Sequence, residues 1–252
     1  MWEWCFGGYD AYSIFMLIAS AVLIGINKTG VPGLGMLPVL MLASAFPARE
    51  STGIQLLMLG AADVMAVIYY RRHANWKIVL RLMPWALAGI VLGSITLRFI
   101  SDAAMKPMLA WTILFMAVFS YLMPLFKKME SMPEHWVFSA CFGILAGLTT
   151  QVANAAGPVM AVYLLAMRLP KSEYMGSAAW YFLILNWIKI PIFIWEGRIT
   201  TSSLRTDLPM IPFLLIGGAL GIFLLSKLPQ RQFEEIVKVL VMVSALKMLI
   251  WG

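Results

Sequence analysis

The sequence predicts an all-α, polytopic membrane protein of about eight transmembrane helices in two homologous four-helix repeats, with the first and fifth helices broken. Three observations carry that prediction. The 252 residues are 62% hydrophobic and only 12% charged, with a mean hydropathy of +0.85, more apolar surface than a soluble domain of this length can hide. The apolar residues fall into long stretches set apart by short polar or charged runs. Two of the stretches are too long for one span and are interrupted by polar runs containing Gly and Pro.

A span takes about 20 apolar residues. The stretches lie at about 12–46, 51–70, 76–99, 105–125, 136–167, 174–195, 208–226 and 234–251. RRHANWK follows the second, KKMESMPEH the fourth and EGRITTSSLRTD the sixth, and none of these linkers could hold a soluble domain. As one helix, Tyr12–Phe46 would be about 50 Å long, against a hydrocarbon core of about 30 Å. Two complete spans with a turn would need more residues. A span followed by a half-helix fits, with the break at NKTGVPGLG. The fifth stretch breaks in the same way at TTQVANAAGP, Thr149–Pro158.

The halves also repeat. Pro47-A-R-E-S-T-Gly53 aligns with Pro170-K-S-E-Y-M-Gly176 at an offset of 123, and the same offset pairs Asp63 with Asn186. Pro84-x4-Gly89-x3-Gly93 matches Pro212-x4-Gly217-x3-Gly221 at an offset of 128, and the half-helix starts GMLP and AAGP pair at 120. This ordered set points to an internal duplication, a signature of transporters. It divides one integral membrane domain into residues 1–130 and 131–252. Lys and Arg divide evenly between alternate loops, so the positive-inside rule leaves orientation open. Whether the repeats are parallel or inverted stays open with it.

Other function classes find little support. The net charge of +7 comes from scattered Lys and Arg with no run longer than two, which suits headgroup-facing loops and lacks the footprint of a nucleic-acid binder. Cys5 and Cys141 have no ligand-like spacing, so neither a disulfide, a metal site nor a cofactor is expected. MWEWCFGGYD carries Glu3 and Asp10 and no base, unlike a signal peptide, so the first apolar stretch should remain as a span. There is no G-x-S-x-G, H-E-x-x-H or P-loop, His73 and His135 fall in loops, and an enzyme is not expected. Trp76, Trp136 and Trp251 read as an interfacial belt, while Trp180 and Tyr181 could belong to the belt or line a pathway. The P-x4-G-x3-G helices should pack closely.

The candidate site residues cluster at the breaks. A charge at membrane depth costs at least about 2.5–3.5 kcal/mol, so Lys28 either snorkels to an interface or faces a cavity. In a cavity it would contact an anion beside the positive end of the half-helix that starts near Leu34. Asn27, Thr29, Gly30, Gly33 and Gly35 surround it. Thr149, Thr150, Gln151, Asn154 and Gly157 at the second break offer neutral hydrogen bonds, either to an oxyanion or to backbone freed by Gly157 and Pro158. Lys189, three residues after Asn186 on one helix face, adds a second cation, unless it pairs with Asp63 or Glu196 or snorkels. Asp63 either neutralises a lysine or is a protonatable carboxylate that couples transport to protons.

The GINKTGVPGLGMLPVL run resembles the first glycine-rich motif of the TauE/SafE sulfite-exporter family, G-x-x-G-x-G-G-G-x-x-x-x-P. The P-x-R-x-S-x-G step, the basic RRHANW tail, the P-x4-G-x3-G helix and GILAGLTTQVANAAGPVMAVYLL continue the likeness over nearly the whole chain. The resemblance implies an eight-span permease of the bacterial inner membrane that moves small sulfur-containing anions. It carries Gly30, Gly33, Gly35, Pro38, Asn154, Gly157 and Pro158 as motif positions. Lys28 and Pro32 among the glycines, and AANA-type residues in place of a Gly-Gly pair, depart from the pattern. The expected function is therefore a secondary transporter of sulfite or an organosulfonate working by alternating access, with a small anion, the bilayer and protons as partners. A passive anion channel and a non-transporting assembly partner are the alternatives.

Overall fold

The computed structural model describes residues 8–99 and 135–251. The expected fourth span, 105–125, lies outside the described residues, as do Cys5, Lys127 and Lys128. The described chain is helical throughout: α1 Ala11–Thr29, α2 Met36–Ala45, α3 Ala48–Tyr70, α4 Trp76–Phe99, α5 Trp136–Ala153, α6 Ala156–Ala166, α7 Lys171–Trp195, α8 Thr201–Asp207, α9 Ile211–Lys227 and α10 Gln230–Trp251. Among the described residues, six helical stretches are long and apolar enough to cross a bilayer, and Met36–Ala45 and Ala156–Ala166 are shorter apolar helices.

Local chemistry sets the boundaries. Asp10 caps α1, its Oδ1 accepting from the Ser13 amide at 2.9 Å. That hydrogen bonding to Ser13 holds its carboxyl below the ordinary value. Pro47 and Pro170 precede α3 and α7 with nearly identical backbone, φ −54° at each. Proline cannot donate into the preceding structure, and Glu50 and Glu173 in the first turns face the positive helix ends.

The two interruptions differ in how they end a helix and agree in how they start one. After α1, the amides of Gly30 and Val31 both donate to the Ile26 carbonyl, at 2.9 and 3.0 Å, and Gly33 takes φ +105°, a region only glycine enters freely. After α5, Asn154 adopts the left-handed conformation, φ 54° and ψ 29°, which asparagine tolerates at helix ends. Both following helices have proline as their third residue, Pro38 and Pro158, and neither has a side-chain cap. The 19 residues of α1 rise about 28 Å and the 10 of α2 about 15 Å, about half a bilayer core.

Packing couples the two halves of the chain. One buried cluster joins α1, α2 and α3 to α9 through Leu17, Leu42, Ile54 and Leu214. The other joins α5, α6 and α7 to α4 and α10 through Val79, Phe142, Leu164 and Val237. The first cluster thus takes in α9 from the other half of the sequence, and the second takes in α4 together with Met36 of α2 and Tyr70 of α3. Glycines make the contacts close: a Cβ on Gly30 would strike Gly221, one on Gly217 would strike Val22, and one on Gly89 would strike Ile144. The glycines of both P-x4-G-x3-G motifs therefore lie against backbone of the opposite half, as the sequence predicts for close packing.

Candidate functional site

α3 and α7 lie side by side in opposite directions. Gly53, near the start of α3, meets the Arg198 carbonyl just past the end of α7, and Gly176, near the start of α7, meets His73 and Ala74 just past the end of α3. Midway along this pair, the Asn186 amide Nδ2 donates to Asp63 Oδ2 at 2.6 Å. Lys28 Nζ pairs with Asp63 Oδ1 at 2.6 Å and sits 4.0 Å from the centroid of the Phe182 ring. Lys28 is only 8% exposed and Asp63 not at all. The Lys28 ammonium thus ends on a buried carboxylate rather than at an exposed surface.

Lys189 is fully buried as well, and its partners are neutral. Its Nζ donates to Thr150 Oγ1 at 2.9 Å and to Asn154 Oδ1 at 2.6 Å, with the Phe193 ring 5.1 Å away. It does not pair directly with Asp63 or Glu196. The Asn154 amide donates onward to the Thr52 carbonyl at 2.9 Å and to Gln55 Oε1 at 3.4 Å. Asn154, left-handed in its backbone, thereby links the second interruption to α3 and α7.

A cavity of about 50 Å³ lies between the two interruptions, room for a few waters or one small oxyanion at about 10–15 Å³ per water. Asn27, Lys28, Gly33 and Gly35 line it from the first, and Thr150, Asn154 and Gly157 from the second, with Asn186 from α7. A Cβ on Gly157 would meet nothing within 4 Å, so this glycine opens directly onto free space. The remaining candidates are committed elsewhere. Thr29 Oγ1 donates to the Gly25 and Gly218 carbonyls, Gly30 packs on Gly221, and Thr149 Oγ1 returns to the Leu145 and Ala146 carbonyls. Gln151 Nε2 donates to Ser94 and Glu196. Lys189 stands one layer behind the wall, holding Thr150 and Asn154. Trp180 packs on Trp76 at 5.0 Å, and neither it nor Tyr181 lines the cavity.

Sequence reasoning passed over three contributors. Phe182 and Phe193 supply the ring faces on which the buried cations rest. Arg198 is 5% exposed and grips the end of α5, its guanidinium donating to the Gln151 and Val152 carbonyls at 2.9 Å each. Its place in the charged run EGRITTSSLRTD gave no sign of that burial. His73 and His135 lie outside the helices as expected, His135 accepting from the Val137 amide at 3.3 Å.

No curated protein and no solved structure matches this chain. A family model, Sulfite exporter TauE/SafE, matches residues 17–248, taking in both interruptions and the Lys28–Asp63–Asn186 cluster between them, and the chain belongs to that family.

Proposed function

We propose that this TauE/SafE member is a secondary transporter that carries a small sulfur oxyanion, sulfite or an organosulfonate, across the bacterial inner membrane by alternating access. The observation that supports it most is the cavity between two uncapped helix starts, with the buried Lys28 in its wall. The starts of α2 and α6 leave backbone N–H groups without side-chain acceptors and place two positive helix ends at the same space. Thr150 accepts from Lys189, which leaves its own hydroxyl hydrogen to donate into the cavity.

The ion pair suggests how protons enter the cycle. An arriving anion and Asp63 compete for the same ammonium, Lys28. A proton on Asp63 removes its negative charge and releases Lys28 to the anion, so anion and proton bind together. Reversing the step on the other side releases both. Asp63 is thus the coupling residue in this reading, and Lys28, Asn27, Thr150, Asn154 and Asn186 hold the substrate.

The halves, 1–130 and 131–252, act here as two repeats of a broken-helix plan. Asp63 and Asn186, at equivalent positions, meet at 2.6 Å. The opposed directions of α3 and α7 favour inverted repeats, the arrangement that lets two halves exchange roles across a membrane.

Proteoliposomes test the reading. An imposed pH gradient should drive uphill accumulation of a sulfonate, which cannot leak as a neutral gas. A channel would only dissipate its gradient. If Lys28→Ala leaves anion affinity and flux unchanged, the anion site is wrong, and full pH-driven flux in Asp63→Asn would make Asp63 structural.

A further inference from the structure

The cavity occupies one side of the Asp63–Asn186 contact. From α7 it takes Tyr174, Met175, Ala178, Ala179, Phe182 and Asn186, all in the amino-terminal two thirds of that helix, whereas from α3 it takes Leu59. The repeat offset of 123 maps those α7 positions onto Ser51, Thr52, Gln55, Leu56, Leu59 and Asp63 of α3. Because α3 and α7 run in opposite directions, Ser51, Thr52 and Gln55 lie toward the other end of the pair. All three are buried, Gln55 at 2% exposure. Burying a polar group in an apolar setting costs about 1–3 kcal/mol without a partner. Met175 and Ala178, at the equivalent places, show that the packing does not require polarity there.

Thr52 and Gln55 are held by a set of cross-links. Arg198 Nε donates to Thr52 Oγ1 at 3.2 Å while its terminal nitrogens hold the Gln151 and Val152 carbonyls. Its guanidinium lies 3.9 Å from the Phe193 ring centroid and pairs with Glu196 at 3.3 Å. Asn154 adds its bonds to Thr52 and Gln55. The start of α3, the end of α5 and the loop after α7 are thereby tied at one point. At the opposite end, the equivalent glycine contact carries two uncharged ties, the Asn75 amide donating to Ser177 Oγ at 2.9 Å and Trp180 Nε1 to the Arg71 carbonyl at 3.4 Å.

We propose that Arg198 latches a second mouth of the cavity, lined by Ser51, Thr52 and Gln55, through which the same anion passes on the membrane side opposite the present cavity. The inference rests on the transporter reading and assigns its second access route. In the alternate state the two halves exchange roles: α3 lines the open path and α7 closes it. The polar side chains of Thr52 and Gln55, now satisfied by Arg198 and Asn154, then face the anion and water.

Cysteine accessibility tests this without substrate. In reconstituted protein with Cys5 and Cys141 replaced by Ser, Ala178→Cys reports the present cavity and Gln55→Cys the latched mouth. A membrane-impermeant maleimide should label Ala178→Cys from one face, with Gln55→Cys slow from both. Adding Arg198→Gln should raise the Gln55→Cys rate about tenfold or more, from the face opposite to Ala178→Cys, since one hydrogen bond to a charged group is worth at least about that factor. Gly53→Ala, whose added Cβ collides with the Arg198 carbonyl, should open the same mouth with the arginine intact. The latch is wrong if Gln55→Cys stays slow in both backgrounds while Ala178→Cys keeps its one-sided labelling. It is equally wrong if both cysteines label from the same face. Unchanged labelling with intact pH-driven flux counts against the latch alone; switched labelling without anion transport counts against the anion reading alone.

Discussion

The two interruptions share a plan and differ in where their charge sits. Each starts a short helix with proline third and without a side-chain cap. At the first, the cation belongs to the interruption itself, and Lys28 meets a carboxylate. At the second, the interruption supplies neutral Thr150 and Asn154, and the cation reaches them from α7 as Lys189. The way each short helix starts is thus shared, while the charge that could read a substrate is not. A cation paired with a titratable acid can be released by a proton. A cation held by a hydroxyl and an amide stays where it is and orients them.

The largest expected effect separates these two lysines by stability. Lys28→Met strands Asp63 in a buried site and should cost about 3–5 kcal/mol, whereas Lys28→Met with Asp63→Leu should recover most of that. Lys189→Met removes two hydrogen bonds from neutral acceptors and should cost less, about 1–3 kcal/mol. Unfolding of the detergent-solubilised protein measures all three. If Lys189→Met proves as costly as Lys28→Met, the contrast between a paired and an orienting cation collapses.

Glycines sharpen the comparison at a smaller scale. Gly30→Ala forces a Cβ into the Gly221 backbone and should destabilise by about 1–3 kcal/mol. Gly157→Val projects into open cavity instead. It should leave stability within about 1 kcal/mol, because glycine is already a poor helix residue, while cutting anion flux at least tenfold by filling the site. Stability and flux together decide it: a Gly157→Val protein with normal flux would show that the anion does not pass this wall.

Much of this was legible in the sequence because membrane physics constrains it. Span lengths follow from bilayer thickness, so all but one of the apolar stretches correspond to described helices within a few residues, the stretch at 105–125 lying outside them. Polar, Gly- and Pro-bearing runs mark where α1 gives way to α2 and α5 to α6, and the spacing of 123 that pairs Asp63 with Asn186 in the sequence joins two residues that touch in the structure. Rotation about a helix axis was not legible. Thr149 and Thr150 are adjacent, yet one returns to its own helix and the other lines the cavity. Gln151 likewise points to Ser94 and Glu196. Those directions depend on packing across the halves, set by glycine contacts more than fifty residues apart. Arg198 was hidden for the same reason: a loop arginine becomes a buried clamp only when α3, α5 and α7 converge.

The smallest predicted effect probes why the second interruption uses asparagine. Asn154 holds a left-handed backbone, φ 54°, and its side chain bonds both ways, Oδ1 to Lys189 and Nδ2 to Thr52. Asn154→Gly keeps the backbone and loses the bonds, whereas Asn154→Ala loses both. The difference in stability between these variants isolates the backbone share, which should be about 1 kcal/mol in favour of glycine. Both should lower anion affinity alike, because Lys189 loses the same acceptor in each. A glycine variant with normal affinity would mean that Asn154 shapes the turn and leaves recognition to Lys28 and Thr150. The two interruptions would then differ in function as well as in charge.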